Sequence, residues 1–178
     1  TRLGPSLTVL VPLLVLETII AIGLALAVAY VRGSLTDRMV MIVCTVGLSI
    51  SILVYIIVFQ YLFAYKLGWF PVQGWGDSFW ENLFRYSSLP ILIGLVVSIA
   101  PSLRLYRTFV LDEINQDYVR TARAKGVGEN RIMWVHVLRN ASIPIITHLM
   151  AALPGLLLGS FLIERFFSIP GIGREVIL

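Results

Sequence analysis

Between Asp112 and Asn140 the chain reads DEINQDYVRTARAKGVGENRIMWVHVLRN. Acidic, basic and small residues crowd into this stretch, and long apolar runs lie on either side of it. Of the 178 residues, 58% are hydrophobic and only 13% charged, with a mean hydropathy of +0.88. A soluble domain carries about a quarter charged residues. The composition is therefore that of an integral membrane protein, and 112–140 is a polar interruption between its spans.

Working outward, Leu89 to Val110 precedes the interruption and Ser142 to Leu162 follows it. Leu7 to Val31 and Met39 to Tyr65 complete a set of four predicted spans, each long enough at 1.5 Å per residue for a hydrocarbon core of about 30 Å. The expected fold is thus all-α, a polytopic transmembrane helical bundle occupying 1–178 as one domain. Spans at about 7–31, 39–65, 89–110 and 142–162 would be joined by a 112–140 loop and by outer loops at 66–88 and 165–178. The loop 66–88 is rich in aromatics, which favour the membrane–water interface. Asp77 to Tyr86 has the pattern of a short amphipathic helix with Phe79, Trp80, Leu83 and Phe84 turned inward.

Basic residues set the orientation. Arg32, Arg38, Arg104, Arg107 and five within 112–140 make nine on one side, against Arg2, Lys66, Arg85, Arg165 and Arg174 on the other. The positive-inside rule puts the nine, and hence 112–140, in the cytoplasm. A single cysteine, Cys44, excludes an intrachain disulfide, and the first apolar stretch does not read as a signal peptide.

Within the interruption, Asp112 to Lys125 has no proline or glycine and predicts one helix, its first turn made acidic by Asp112 and Glu113. Ile114, Tyr118, Thr121, Ala122 and Lys125 share a face, which becomes small toward its end at Thr121 and Ala122, with Ala124 beside them. Gly126 suits a helix end in the left-handed conformation, and Glu129 to Arg139 predicts a second short helix. The shape is a knob, small-sided and rimmed by Arg120, Arg123 and Lys125. It fits a groove on a partner or, equally on this reading, a basic turn resting on anionic lipid headgroups.

Ionisable and polar groups inside the apolar runs are the remaining candidates. Glu17 interrupts the first span, where a carboxyl is costly and either functional or held by a neighbouring helix. Gln60, Ser98, Ser102, Thr147 and Ser160 can line a path or bond their own helix backbone. Glu164 and His148, with Glu17, would carry protons or ions in a secondary transporter, although no internal repeat supports that class. His136 and His148 are the only histidines, and neither a Ser/His/Asp arrangement nor metal-ligand spacing is present. The glycine pair Gly126-Val-Gly128 is no phosphate loop, so ATP chemistry is not expected on this chain. No catalytic residue, metal ligand or nucleic-acid partner is expected.

The run Asp117-Tyr-Val-Arg-Thr-Ala-Arg-Ala-Lys-Gly126, followed by His136-Val-Leu-Arg-Asn-Ala141 and Ile143-Pro144, resembles the cytoplasmic coupling loop of ABC-transporter permeases. The branch it resembles is the dipeptide/oligopeptide/nickel importers. Gly68-Trp-Phe-Pro71 with Gly74, Gly159-Ser160, Ile163-Glu164, Phe167 and Pro170-Gly-Ile-Gly173 extend the resemblance over nearly the whole chain. The general permease signature opens Glu-Ala-Ala, whereas Arg120, Thr121 and Ala122 stand there, and its later proline is displaced to Pro144, as in the peptide-importer branch. The resemblance implies a multi-pass subunit in the bacterial or archaeal cytoplasmic membrane, forming the pathway for di- or oligopeptides, with nickel or another small solute as the alternative cargo. It implies a homologous permease in a heterodimer, two ATP-binding subunits carrying ATP and Mg, and an extracytoplasmic substrate-binding protein. Tyr118, Thr121, Ala122, Arg123, Ala124, Lys125 and Gly126 would be the ATPase-coupling residues, and Glu17, Ser160 and Glu164 possible pathway or gating residues. It further implies a span before Thr1 and another after Leu178.

Overall fold

Residues 3–171 are described by the computed structural model, the side chains of 156–160 excepted. Every regular element among them is helical. In chain order these are α1 (Leu3–Tyr30), α2 (Leu35–Ser49), α3 (Ile52–Phe59), α4 (Phe79–Glu81), α5 (Ser88–Ile114), α6 (Asp117–Ala124), α7 (Glu129–Arg131) and α8 (Leu138–Phe166). Three wider turns with i→i+5 hydrogen bonding extend α3 (Gln60–Lys66), α4 (Asn82–Tyr86) and α7 (Ile132–Val137). The contacts group the chain into two compact units. One comprises Thr1–Glu17, Ser49–Ser98 and Ala152–Leu178, the other Thr18–Leu48 and Ile99–Ala151.

α1 and α5 are long and apolar enough to cross a membrane, and the broken pair Leu35–Ser49 and Ile52–Lys66 makes a third candidate span. Met39 to Tyr65 is therefore not the single helix that its unbroken hydropathy predicts. Ser51 adopts extended backbone and its Oγ accepts from the Leu53 N–H at 3.4 Å, opening a new helix. A serine offering its own cap competes with helix continuation, and hydropathy cannot register that competition. α8 contains the predicted fourth span and runs helically through Pro144 and Pro154. Each proline forfeits one backbone bond to the preceding turn without ending the helix.

In the first unit, Val9 and Leu13 of α1, Ile56, Leu89, Ile93, Ile163, Phe167 and Ile169 form the core. In the second, Ala21, Ala25 and Ala29 repeat every four residues along α1 and are almost wholly buried. Such a small-residue stripe lets helices approach closely where lipid removes the hydrophobic drive for association. Leu103, Tyr106, Val110 and Ile114 of α5, with Ile132, Val137, Ala141 and Ile145, complete that core. Ile19, Val43, Ile143 and Met150 are among many large apolar side chains left exposed, as a surface facing hydrocarbon requires.

The loop 66–88 is ordered by Asn82, whose buried amide accepts from the Gly76 N–H at 2.7 Å and donates to the Gly76 carbonyl at 2.8 Å. The predicted short helix is present as Phe79–Tyr86, with the side chains of Phe79, Trp80 and Phe84 exposed on the protein surface. Trp80 and Phe84 stack, 6.0 Å apart and 10° from parallel.

Candidate coupling surface

The predicted helix Asp112–Lys125 is two helices. α5 continues to Ile114, the chain turns at Asn115 and Gln116, and α6 starts afresh at Asp117. Gln116 takes extended backbone as the cap (φ −72, ψ 154). Asp112 and Glu113 consequently sit at the C-terminal end of α5, not at a helix start, and only Asp117 complements the α6 dipole. The second predicted helix, Glu129 to Arg139, is α7, a wider turn and the first residues of α8, with no break before the membrane-length segment.

α6 has two unlike faces. Val119 and Ala122 are buried in the core of its own unit. Tyr118 is half-buried, and its hydroxyl donates to Glu113 Oε2 at 2.7 Å, fastening α6 to the end of α5. Burial, and then the bond to Glu113, raise the Tyr118 phenol above its ordinary value. The opposite face exposes Asp117, Arg120, Thr121 and Ala124 at i, i+3, i+4 and i+7. Ala122 thus belongs to the seat of the helix and not to its outer face, a correction to the sequence reading. A small residue is compatible with either role, and periodicity gives no sign of which one it fills.

The end of α6 is a Schellman motif. Gly126 has φ +75, its N–H donates to the Arg123 carbonyl at 2.9 Å, and the Val127 N–H donates to the Ala122 carbonyl at 3.1 Å. Nothing crowds Gly126, so backbone conformation alone demands glycine there. Arg123 reaches across the turn to Glu129 with a two-bond fork, Nε to Oε1 at 2.6 Å and Nη2 to Oε2 at 3.2 Å. That fork raises the Arg123 guanidinium and lowers the Glu129 carboxyl from their ordinary values. Arg123 therefore braces the turn, while Arg120 and Lys125 stand exposed beside it.

Two further polar constellations were not legible as sites. In the unit containing α6, Asp37 is 5% exposed, and its carboxylate receives Arg107 Nε at 2.9 Å, Arg107 Nη2 at 2.7 Å and the Gly33 N–H at 2.9 Å. Ser34 completes the arrangement by accepting the Asp37 N–H at 3.2 Å. The spacing Ser34-x-x-Asp37 is a capping box, a signal that could have been read in advance; the Arg107 partner, 70 residues away, could not. In the other unit, Ser6 Oγ donates to Glu164 Oε1 at 2.7 Å, both residues being 1% exposed. Gly171 lies so close to the Glu164 carboxyl and to Ser6 Oγ that no side chain fits there.

The other predicted residues are dispersed. Glu17 is buried, and Glu164 lines a cavity of about 150 Å³ with Leu10, Leu13, Val97, Ser98 and Ile163. Ser160 lies in α8 among the residues whose side chains are not described. Thr147 and Ser98 bond their own helix, to the carbonyls of Ile143 at 3.0 Å and Leu95 at 3.5 Å. Gln60 and Gln73 instead donate to the Phe166 carbonyl at 3.4 and 3.1 Å, tying the 66–88 loop to the end of α8. His148 meets the ring of Tyr106 edge-on at 6.0 Å. Among the described residues no cluster of three or more His, Cys, Asp or Glu could hold a metal.

These features define an all-helical integral membrane protein carrying a short, braced amphipathic helix. The family described as "Binding-protein-dependent transport system inner membrane component" matches residues 6–178, and this chain belongs to it. The di/tripeptide transport system permease protein DppB of Pseudomonas aeruginosa is 35% identical over 82% of this chain and 50% of its own length. The oligopeptide transport system permease protein AppB of Bacillus subtilis is 33% identical over 97% and 56%. The glutathione transport system permease protein GsiC of Salmonella typhimurium is 31% identical over 99% and 56%. The chain spans about half the length of these curated relatives.

Proposed function

We propose that the chain is a transmembrane subunit of an ATP-driven ABC importer, forming part of a pathway for di- or oligopeptides across the bacterial or archaeal cytoplasmic membrane. Residues 112–140 are its contact with a separate ATPase, and four spans carry it through the bilayer. The observation that carries this reading is the two-faced α6, seated on one side by Tyr118, Val119 and Ala122 and exposing Asp117, Arg120, Thr121 and Ala124 on the other. A helix that merely rested on lipid headgroups would turn an apolar face outward; the outer face of α6 is polar and small. The relatives named for di/tripeptides, oligopeptides and glutathione favour a peptide cargo over nickel or another small solute.

In this reading a homologous permease completes the pathway, two ATP-binding subunits supply ATP and Mg chemistry, and an external binding protein delivers cargo. Closure of the ATPase dimer displaces α6, and the Schellman turn with its Arg123–Glu129 brace passes the displacement into α7 and α8.

The test is uptake of a labelled dipeptide by the full-length subunit assembled with its partners in proteoliposomes. Ala124→Trp, on the exposed face, and Gly126→Val, at a backbone that excludes a β-branched residue, are expected to abolish ATP-driven uptake with the subunit still inserted. Uptake at the unmodified rate in both variants sinks the coupling assignment. Wild-type uptake of nickel but not of dipeptide would change the cargo and keep the class. Uptake driven by a proton gradient without ATP would move the chain to the secondary carriers.

A further inference from the structure

The constellation around Asp37 is built more tightly than a helix cap requires. Ser34 caps the first turn of α2 by accepting the Asp37 N–H, and the Asp37 carboxylate takes the Gly33 N–H, yet the same carboxylate also accepts both arms of an Arg107 fork from α5. Gly33 holds φ +78, which turns its N–H toward the carboxylate. The side chains of Asp37 and Arg107 are 7% and 20% exposed, so the pair is largely out of water. A buried ion pair adds little net stability over apolar residues of the same volume, because desolvation offsets most of the attraction. What it supplies is direction: two parallel bonds in a planar fork fix one register between α2 and α5, where apolar side chains would allow sliding.

The location gives that register a use. Arg107 lies seven residues before the end of α5, about 10 Å along the helix axis. At that end, Glu113 receives the Tyr118 hydroxyl of α6, and Asn115 Oδ1 receives Arg32 Nη1 at 3.2 Å from the turn between α1 and α2. Polar contacts therefore run from α6 to the end of α5, from α5 to the first turn of α2, and from the residue after α5 to the α1–α2 turn. We propose that the Asp37–Arg107 pair is the joint through which movement of α6 and α5 is carried into the α1–α2 turn, making Asp37 and Arg107 positioning residues for transport. This rests on the reading of α6 as the ATPase contact and adds the route by which motion leaves it.

Spin labels at Thr36→Cys and Gln116→Cys, both exposed and outside the outer face of α6, measure whether turn and coupling segment move together. The full transporter is examined nucleotide-free and trapped with ATP and vanadate, and ATP hydrolysed per dipeptide taken up is measured in parallel. In the unmodified pair, the distance distribution is expected to be the same in both states. In Asp37→Asn and in Arg107→Lys, which keeps the charge and loses the fork, the distribution is expected to shift on trapping. ATP consumed per dipeptide should rise roughly tenfold, within the span of ordinary coupling factors. The swap Asp37→Arg with Arg107→Asp should recover part of both. If Asp37→Asn does not assemble, Arg107→Lys alone decides.

Three results would overturn the proposal: a wild-type distance that changes on trapping; variants whose distances and ATP cost match wild type; or losses that track only the amount of assembled protein. The underlying reading fails separately. If Ala124→Trp leaves ATP-driven uptake intact, α6 is not the contact, whatever the Asp37 variants do.

Discussion

Gly171→Ala is the sharpest test of how the Ser6–Glu164 clasp is built. A methyl group there would fall on the Glu164 carboxyl and on Ser6 Oγ at distances that no real Cβ tolerates. Neither neighbour has anywhere to go, since both are 1% exposed. The turn cannot swing away freely either, because the Gly171 N–H donates to the Ile169 carbonyl at 2.8 Å and the Ile169 N–H to the Glu164 carbonyl at 2.9 Å. Relief therefore requires breaking the Ser6–Glu164 bond, and the added carbon must still be accommodated by shifting the packed turn. A lost buried hydrogen bond costs about 1–3 kcal/mol, and forcing an extra carbon into a filled site costs about 1–3 kcal/mol more. The expected destabilisation is about 2–6 kcal/mol.

Ser6→Ala removes the bond but adds no atom, so it should cost only the first of these, about 1–3 kcal/mol. The double variant should then cost less than the sum, since the Ser6 hydroxyl is one of the atoms in the way; couplings of about 0.5–3 kcal/mol are usual for touching residues. Thermal unfolding of the purified full-length protein in detergent, with both single variants and the double, supplies the cycle. A Gly171→Ala protein within about 0.5 kcal/mol of wild type, the scatter of ordinary surface substitutions, would refute the geometry. Strict additivity would show that Ser6 and Gly171 do not share the Glu164 carboxyl.

Two smaller perturbations address the helix ends. Ser168 holds φ +56 at the end of α8, with the Ile169 N–H bonded to the Glu164 carbonyl, the place a Schellman turn gives to glycine. Ser168→Gly should raise the thermal midpoint by relieving about 1 kcal/mol of backbone strain, less the added freedom of glycine in the unfolded chain; a midpoint no higher than that of Ser168→Ala would contradict this. At the other turn, the Arg123 fork lowers the Glu129 carboxyl from its ordinary value, so the brace is fully present above the ordinary carboxyl value and is lost as pH falls through the lowered one. Both side chains are about two-fifths exposed, and solvent screening holds the brace to less than about 1 kcal/mol. A spin label at Asn130→Cys should become more mobile on acidification through the lowered Glu129 carboxyl value. With Glu129→Gln the label should be mobile throughout; mobility independent of pH in the unmodified turn would exclude the brace.

Much of the architecture is legible because lipid imposes it. Apolar runs long enough to span a bilayer mark α1 and α5 directly in spite of Glu17, and Gly126 marks the end of α6 because its conformation suits almost nothing else. The failures share a cause. At Ser51 a side-chain cap competes with helix continuation, and at Asn115–Gln116 the side-chain amides bond back to the Leu111 and Asp112 carbonyls at the end of α5; neither hydropathy nor an absence of proline reports either break. The partners of Asp37, Glu164 and Tyr118 are a different matter: a carboxylate's own sequence shows that it must be satisfied, but the arginine, serine or phenol that does so is chosen by packing. Asp37 and Arg107 were visible only as charges beside a span, and counting Arg107 toward orientation concealed its work as one half of a buried pair.

The same distinction bears on which residues of the coupling segment report docking. Arg123 looks like part of a basic rim, yet both arms of its guanidinium are committed to Glu129, and a substitution there changes the turn before it changes any partner contact. Ala122 looks like part of a small docking face, yet it is sealed into the core beneath α6, so enlarging it unseats the helix. On α6 itself, Asp117, Arg120, Thr121 and Ala124 can meet a partner without first disturbing the fold, and Asp117 and Arg120 already form an exposed pair at 3.5 Å that contributes little. In the proposed docking, the centre of the surface is therefore Thr121 and Ala124. Their small size matters because it lets a partner's backbone come close, and a contact of that kind is stiff enough to carry force.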